Sequence, residues 1–222
     1  GQPLMDFALY LQIASVLCRG VGITVSLFAI TIILSIPLGL CATFVVTGKN
    51  LVLRAITKGY VFVMRGTPLM LQLFFFYYGL KFIPGIGPYL ALDRFPAACI
   101  AFVLNYAAYF CEIFRGGLLS IDRGQYEASQ VLGLSKIHTT IRVILPQMFK
   151  VSLPAVSNEG ITLIKDSALV TAIGLTDLLH FTKSMVNTHV SVVPYFIATI
   201  FYLAMTFGLT KLFNYLERKF SF

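Results

Sequence analysis

SIDRGQYEASQVLGLSKIHTTIRVILP (120–146) interrupts a very apolar chain. The stretch is polar, contains two glycines and carries both signs of charge. Its local signals are those of a short helix, a turn and a second helix. Asp122 can accept from the first free amides of a helix whose N3 residue is Gln125, a variant of the capping box. That helix is predicted over 123–132, with Gly133 at the left-handed position beyond its end. Ser135 can cap the next helix, which carries Ile137, Ile141 and Ile144 towards Pro146. Ala128 and Ser129 are small, so another protein's surface can approach closely; Tyr126 and Glu127 beside them offer a ring and a charge. On physics alone, the same residues also describe a solvated loop helix that needs no partner.

The surroundings of this segment set its context. The chain has 222 residues, of which 58% are hydrophobic and only 12% charged, with a mean hydropathy of +0.85. Soluble domains carry roughly a quarter charged residues, so the bilayer is the expected solvent. A crossing helix needs about 20 apolar residues, and this length accommodates roughly five. The apolar runs are long and continuous, unlike the short alternating segments of a β-barrel. They cover about 21–46, 59–82, 95–114, 148–174 and 192–213. The expected fold is therefore an all-α membrane protein forming one domain over 1–222, with the loop at about 120–146 between the third and fourth spans. Ahead of the first run, DFALYLQIASVLCRG (6–20) reads as a separate, partly amphipathic segment at the membrane surface.

The formal charge of +8 is distributed unevenly. Lys49, Arg54 and Lys58 follow the first span, Arg115, Arg123, Lys136, Arg142 and Lys150 surround the polar loop, and Lys211, Arg218 and Lys219 close the chain. The opposite loops hold only Arg19, Lys81, Arg94 and Lys183. The positive-inside rule then puts the loop and the C-terminus in the cytoplasm and the N-terminus outside. Basic residues at the inner leaflet account for the charge without nucleic acid. Cys18, Cys41, Cys99 and Cys111 are scattered through apolar runs, and His138, His180 and His189 have no ligand spacing, so neither disulfide nor metal site is expected. No secretory-signal pattern is evident, and Gly1 to Leu4 read as an addition ahead of Met5.

The loop also matches a family. EASQVLG (127–133) followed by IRVILP (141–146) resembles the EAA motif of ATP-binding-cassette importer membrane subunits, with Ser129 in place of the second alanine and Val143 in place of the isoleucine. RGTPLMLQLFFFYYGL (65–80), YFCEIFRGGLLSIDRGQYEA (109–128) and NEGITLIKDSALV (158–170) are similar to the polar amino acid permease group. The resemblance covers nearly the whole chain after Gly20. It implies the type I importer permease fold and a bacterial inner-membrane location. The loop helix would be a coupling helix seated in a groove of a cytoplasmic ATPase through Tyr126, Glu127, Ala128, Ser129 and Gly133. It further implies two such ATPase subunits, a second permease subunit (a copy or a close relative) and an extracytoplasmic substrate-binding protein. Transport would follow alternating access. The chain itself should not hydrolyse ATP: its Gly48-Lys49 pair is followed by Asn50, and no P-loop surrounds it. ATP and Mg belong to the partner ATPase, and no cofactor is expected on this chain.

The fourth run contains Glu159, Lys165 and Asp166, and a charge at mid-membrane costs about 2.5–3.5 kcal/mol unless it faces a cavity or partner. Pro154 and Gly160 flank Ser157, Asn158 and Glu159 and suggest a broken helix that lines a substrate path. Glu159 and Asp166 are seven residues apart, nearly two turns, so both carboxylates fall on one side. A basic amino acid carries two cations, and each carboxylate can hold one. Ser157, Asn158 and Thr162 are further candidates. In the alternative, structural reading, Asp166 pairs with Lys165 or caps a half-helix from Ser167, and Glu159 bonds nearby backbone. Arg65 is expected to snorkel or pair with Glu112. The aromatic run 74–78 either packs or stacks on a substrate cation. A stand-alone channel or secondary carrier would use the same carboxylates for ions without any ATPase. Glutamine or another polar amino acid is the alternative substrate, and no paired catalytic set supports a membrane enzyme.

Overall fold

The computed structural model describes residues 7–220; Gly1 to Leu4 lie outside them. The described residues are mostly helical, with no strand among them. The main helices are α1 (Phe7–Thr47), α2 (Leu51–Gly66), α3 (Leu69–Phe74), α4 (Arg94–Leu119), α5 (Arg123–Val131), α6 (Lys136–His138), α7 (Leu145–Asp166), α8 (Leu178–His189) and α9 (Val193–Phe220). α1, α4 and α9 are each long and apolar enough to cross a membrane, and the pair Leu51–Gly66 and Leu69–Phe82 qualifies as one interrupted span. α7 has 22 residues, about 33 Å of helix, but also carries Lys150, Glu159, Lys165 and Asp166. By length and composition the described helices therefore supply three such spans, or four with the interrupted pair, against the five expected.

Three expectations are corrected. The segment 6–20 is not a separate surface helix: α1 runs unbroken for 41 residues, roughly 60 Å. The second run is not a continuous helix over 59–82. It breaks at Thr67, which precedes Pro68 and is extended at φ −120° and ψ 152°, as the proline ring demands of its predecessor. The fourth run is not broken between Pro154 and Gly160. Pro154 removes one intrahelical hydrogen bond, yet α7 continues to Asp166, and only from Ser167 does the chain tighten into 3₁₀ geometry through Ile173.

The chain forms two compact units. One contains Gly1–Ile32, Pro68–Val103 and Ile161–Leu209; the other contains Ile33–Thr67, Leu104–Gly160 and Thr210–Phe222. The first is built on Ile13, Leu17, Leu178 and Ala198. There α1 touches the start of α8 so closely that a Cβ on Gly20 would overlap the backbone of Asp177 and Leu178. Thr24 accepts from the Leu178 amide at 3.3 Å. Asp177 is fully buried, and its Oδ1 accepts from the Thr171 hydroxyl at 2.5 Å and the His180 amide at 3.0 Å. Its Oδ2 and the Tyr202 hydroxyl, both buried, have no hydrogen-bond partner among the described residues.

The second unit is built on Val46, Val61, Ala108 and Cys111. Gly39 lets α1 lie against Phe110 and the Ala107 carbonyl. The Thr43 hydroxyl is within 3.0 Å of the Cys111 carbonyl, and Tyr60 donates to Leu104 O. Gly160 faces the ring of Phe213 where a Cβ would collide with it.

Burial pushes the Asp177 carboxyl above the ordinary carboxylate range, against its hydrogen bonds from Thr171 and His180. A folded pKa above the unfolded one means that the stabilisation is complete below the unfolded pKa and is lost as pH rises through the folded value. Asp177→Asn keeps the Oδ1 acceptor and removes this titration. Its melting temperature relative to the wild type should therefore climb between pH 4 and pH 8; a difference that stays flat across that range in detergent would refute the assignment.

Candidate coupling helix and substrate residues

The loop folds as its caps dictate. Asp122 Oδ1 accepts from the Gly124 amide at 2.6 Å and starts α5. Gly133 sits at φ +71°, with Gly133 N bonded to Gln130 O and Leu134 N to Ser129 O, the paired bonds of a Schellman end. Ser135 caps the next turn by accepting from His138 N at 3.3 Å. From Lys136 the helix passes through a π-helical stretch (Thr139–Ile144) directly into α7. Gln147 Nε2 donates to Gln125 Oε1 at 3.1 Å and to Val143 O at 2.9 Å, tying α5 to the start of α7.

Of the five expected contact residues, Tyr126, Glu127, Ala128 and Gly133 are exposed, and a Cβ on Gly133 would meet nothing. Ser129 is different: it is buried, and its hydroxyl donates to Gln125 O. Sequence reading missed the apolar side of this surface, where Val131 is 88% exposed, Leu132 76% and Ile137 70%. Each follows or precedes a capping residue, and that signal was available. Tyr126, Gln130, Leu134 and Lys136 line a cavity of about 340 Å³ beside them.

On α7 the expected substrate residues divide. Ser157 is buried and its hydroxyl donates to Leu153 O at 2.8 Å. Asn158 and Thr162 are exposed, while Glu159 and Asp166 are half-buried. Glu159, Thr162 and Asp166 follow one another at three and four residues on an unbroken helix, so they share one face. Asp166 precedes the 3₁₀ turn but makes no side-chain capping bond to it.

The remaining charged expectations resolve locally. Arg65 does pair with Glu112, at 3.7 Å, and Arg115 adds two shorter bonds, Nε to Oε1 at 3.1 Å and Nη2 to Oε2 at 2.7 Å. The aromatic run already has cations of its own: Lys81 lies over the rings of Tyr77 and Tyr78, and Arg94 over Tyr77, all within 6 Å. Tyr78 also joins Arg94, His180 and Lys183 around an open cavity of about 630 Å³.

Residues 35–222 match the family described as the binding-protein-dependent transport system inner membrane component. The chain belongs to this family. It is 36% identical over 206 residues to the L-cystine transport system permease protein TcyB of Bacillus subtilis, covering 92% of this chain and 86% of that one. The arginine transport system permease protein ArtQ of the same organism is 35% identical, with 97% of both chains covered. The putative glutamine transport system permease protein GlnP of Rickettsia conorii is 32% identical over 90% of this chain and 91% of its own. Among solved structures, a chain from the crystal structure of an amino acid ABC transporter with histidines superposes with a TM-score of 0.86 at 30% identity, covering 97% of this chain and 99% of that one. The expected family and fold are thus confirmed. This is an inner-membrane permease subunit of the ABC importer class, not an enzyme; ATP hydrolysis falls to separate subunits.

Removing the cap tests the local account. Asp122→Ala should cost about 1 kcal/mol of α5 stability, so amide exchange over 123–131 should quicken roughly fivefold while α4 is unaffected. Unchanged exchange in α5 would show that the cap does not hold it.

Proposed function

We propose that this chain, the permease subunit of an amino acid ABC importer, translocates a basic amino acid: arginine, lysine or histidine. The carrying observation is the polar face of α7, where Glu159 and Asp166 flank Thr162 on a helix of a membrane permease. The two carboxylates bind the α-ammonium and the side-chain cation, Asn158 and Thr162 border them, and Ser157 supports the helix from its buried side. The ArtQ relative and the solved chain with histidines support this reading. The TcyB relative favours a second reading, cystine, which also carries two ammonium groups. A glutamine importer would need only one of the carboxylates.

In the same reading, Tyr126, Glu127, Ala128, Ser129 and Gly133 form the seat for one of two cytoplasmic ATPases, which bind the ATP and Mg. A second permease subunit completes the path, and an extracytoplasmic binding protein delivers the substrate. The N-terminus is outside and the C-terminus in the cytoplasm. ATP-driven closure of the ATPases moves the coupling helices and opens the path outward, and hydrolysis resets it. A stand-alone channel or carrier would leave the exposed apolar surface around Gly133 without a purpose.

In proteoliposomes holding the importer and its binding protein, arginine should stimulate ATP hydrolysis more than glutamine does. Glu159→Ala with Asp166→Ala should remove at least about tenfold of the arginine response, the worth of one charge-assisted pair. Gly133→Asp should uncouple hydrolysis from every substrate while the permease stays folded. Equal stimulation by glutamine in wild type and in the double variant would discard the basic-substrate assignment; unaltered coupling in Gly133→Asp would discard the seat.

A further inference from the structure

The charged cluster on α2 and α4 does more than pair internally. Glu112, Arg115, Lys58, Thr47, Val46 and Leu119 line an open cavity of about 380 Å³. Its one carboxylate is held by Arg115 through two bonds and approached by Arg65 at 3.7 Å. Three cations, Lys58, Arg65 and Arg115, therefore surround a single anion, and the cluster keeps a net positive charge. Arg54, Lys58 and Arg65 are spaced by four and seven residues on α2 and fall on one stripe of that helix.

The same surface is also strongly apolar. On α2, Phe62 is 79% exposed and Leu51 68%, both on the side of the cation stripe, and Leu119 at the edge of the cavity is 69% exposed. A small soluble anion would answer the charge and leave these side chains uncovered. A neutral lipid would cover them and leave the charge unanswered. The ligand that satisfies both has an anionic head and apolar tails.

We propose that this cavity holds the phosphate headgroup of an anionic phospholipid, with Lys58 as its principal contact and the acyl chains along the exposed apolar side of α2. Basic pockets between membrane helices recognise such headgroups, each cation near the surface contributing about 1 kcal/mol. Arg115 is held at the cavity by its two bonds to Glu112, and Arg65 adds its charge behind the same carboxylate. The proposal rests on the chain being a membrane permease but not on its substrate or its orientation.

The test uses the importer in dioleoylphosphatidylcholine vesicles and reads the association of spin-labelled phosphatidylglycerol relative to spin-labelled phosphatidylcholine. Wild type should prefer the anionic lipid, and Lys58→Gln should lower that preference about fivefold, the worth of one surface cation. Arg123→Gln, an exposed cation on α5, should leave it unchanged. Lys58→Gln should melt at the wild-type temperature in phosphatidylcholine alone. Equal preference in wild type and Lys58→Gln overturns the proposal. Abolition of the preference by millimolar inorganic phosphate overturns it too, since the site would then take a free anion. Because the readout is lipid association, it stands or falls separately from substrate-stimulated hydrolysis.

Discussion

Lipid offers a backbone no hydrogen bonds, and this constraint governs the whole chain. Inside a helix every amide is satisfied; at each end and each break something must stand in. Asn50 Oδ1 accepts from both Val52 N and Leu53 N at the start of α2. Where that helix stops at Thr67, buried Asn105 on α4 donates to Met64 O at 3.1 Å and answers one of the last-turn carbonyls. Asp122, Ser135 and Asp177 open the later helices. Gly174 ends the 3₁₀ stretch in the left-handed conformation at φ +80°. At each of these interruptions a polar side chain or a glycine stands in for the missing ladder bond.

That distribution explains what was legible. The loop at 120–146 could be read almost residue by residue, because Asp122, Gly133 and Ser135 act on backbone groups within a few positions of themselves. The two carboxylates on one face followed equally from helix spacing. Breaks were harder, because Pro154 and Pro68 are the same residue in sequence with opposite consequences. Pro154 lies inside a helix that absorbs one lost bond. At Pro68 the preceding Thr67 has left the helix and Asn105 is ready to satisfy the end. The partner that answers the Met64 carbonyl at this helix end is 41 positions away, so no local pattern could show it. The continuity of α1 was hidden for a related reason: Gly20 looks like a stop signal, but its role is to admit the backbone of Asp177, 157 residues later.

The inward turn of Ser129 shows the same limit at the candidate site. Small residues at 128 and 129 both suggest close approach, yet only Ala128 lies on the exposed side, because one residue is 100° of helix. The uncovered side is instead completed by Val131, Leu132 and Ile137, which sit at the two helix ends and the turn. An apolar residue beside a cap cannot be buried by its own short helix, which has no further turn to fold it under. Seen this way, the capping residues and the apolar contact surface have one cause: a helix of nine residues between two breaks.

To serve the proposed coupling role, a short helix must be locally stiff and joined firmly to the helix it moves. Both conditions are met within one unit of the chain. Capping at each end fixes α5, and the bond from Gln147 to Gln125 spans 22 positions to fasten it to the first turn of α7. The π-helical stretch between them is wider than an α-helix and puts Pro146 into α7 without a break; such stretches recur at functional sites. Beyond it α7 is unbroken, so Glu159 stands fourteen residues along the helix whose beginning is tied to α5. A helix that stopped at Pro154, as its sequence suggests, would dissipate such a displacement at the break. If α5 is the proposed seat for an ATPase, the tolerance of Pro154 inside α7 is what would let a push on the loop arrive at Glu159.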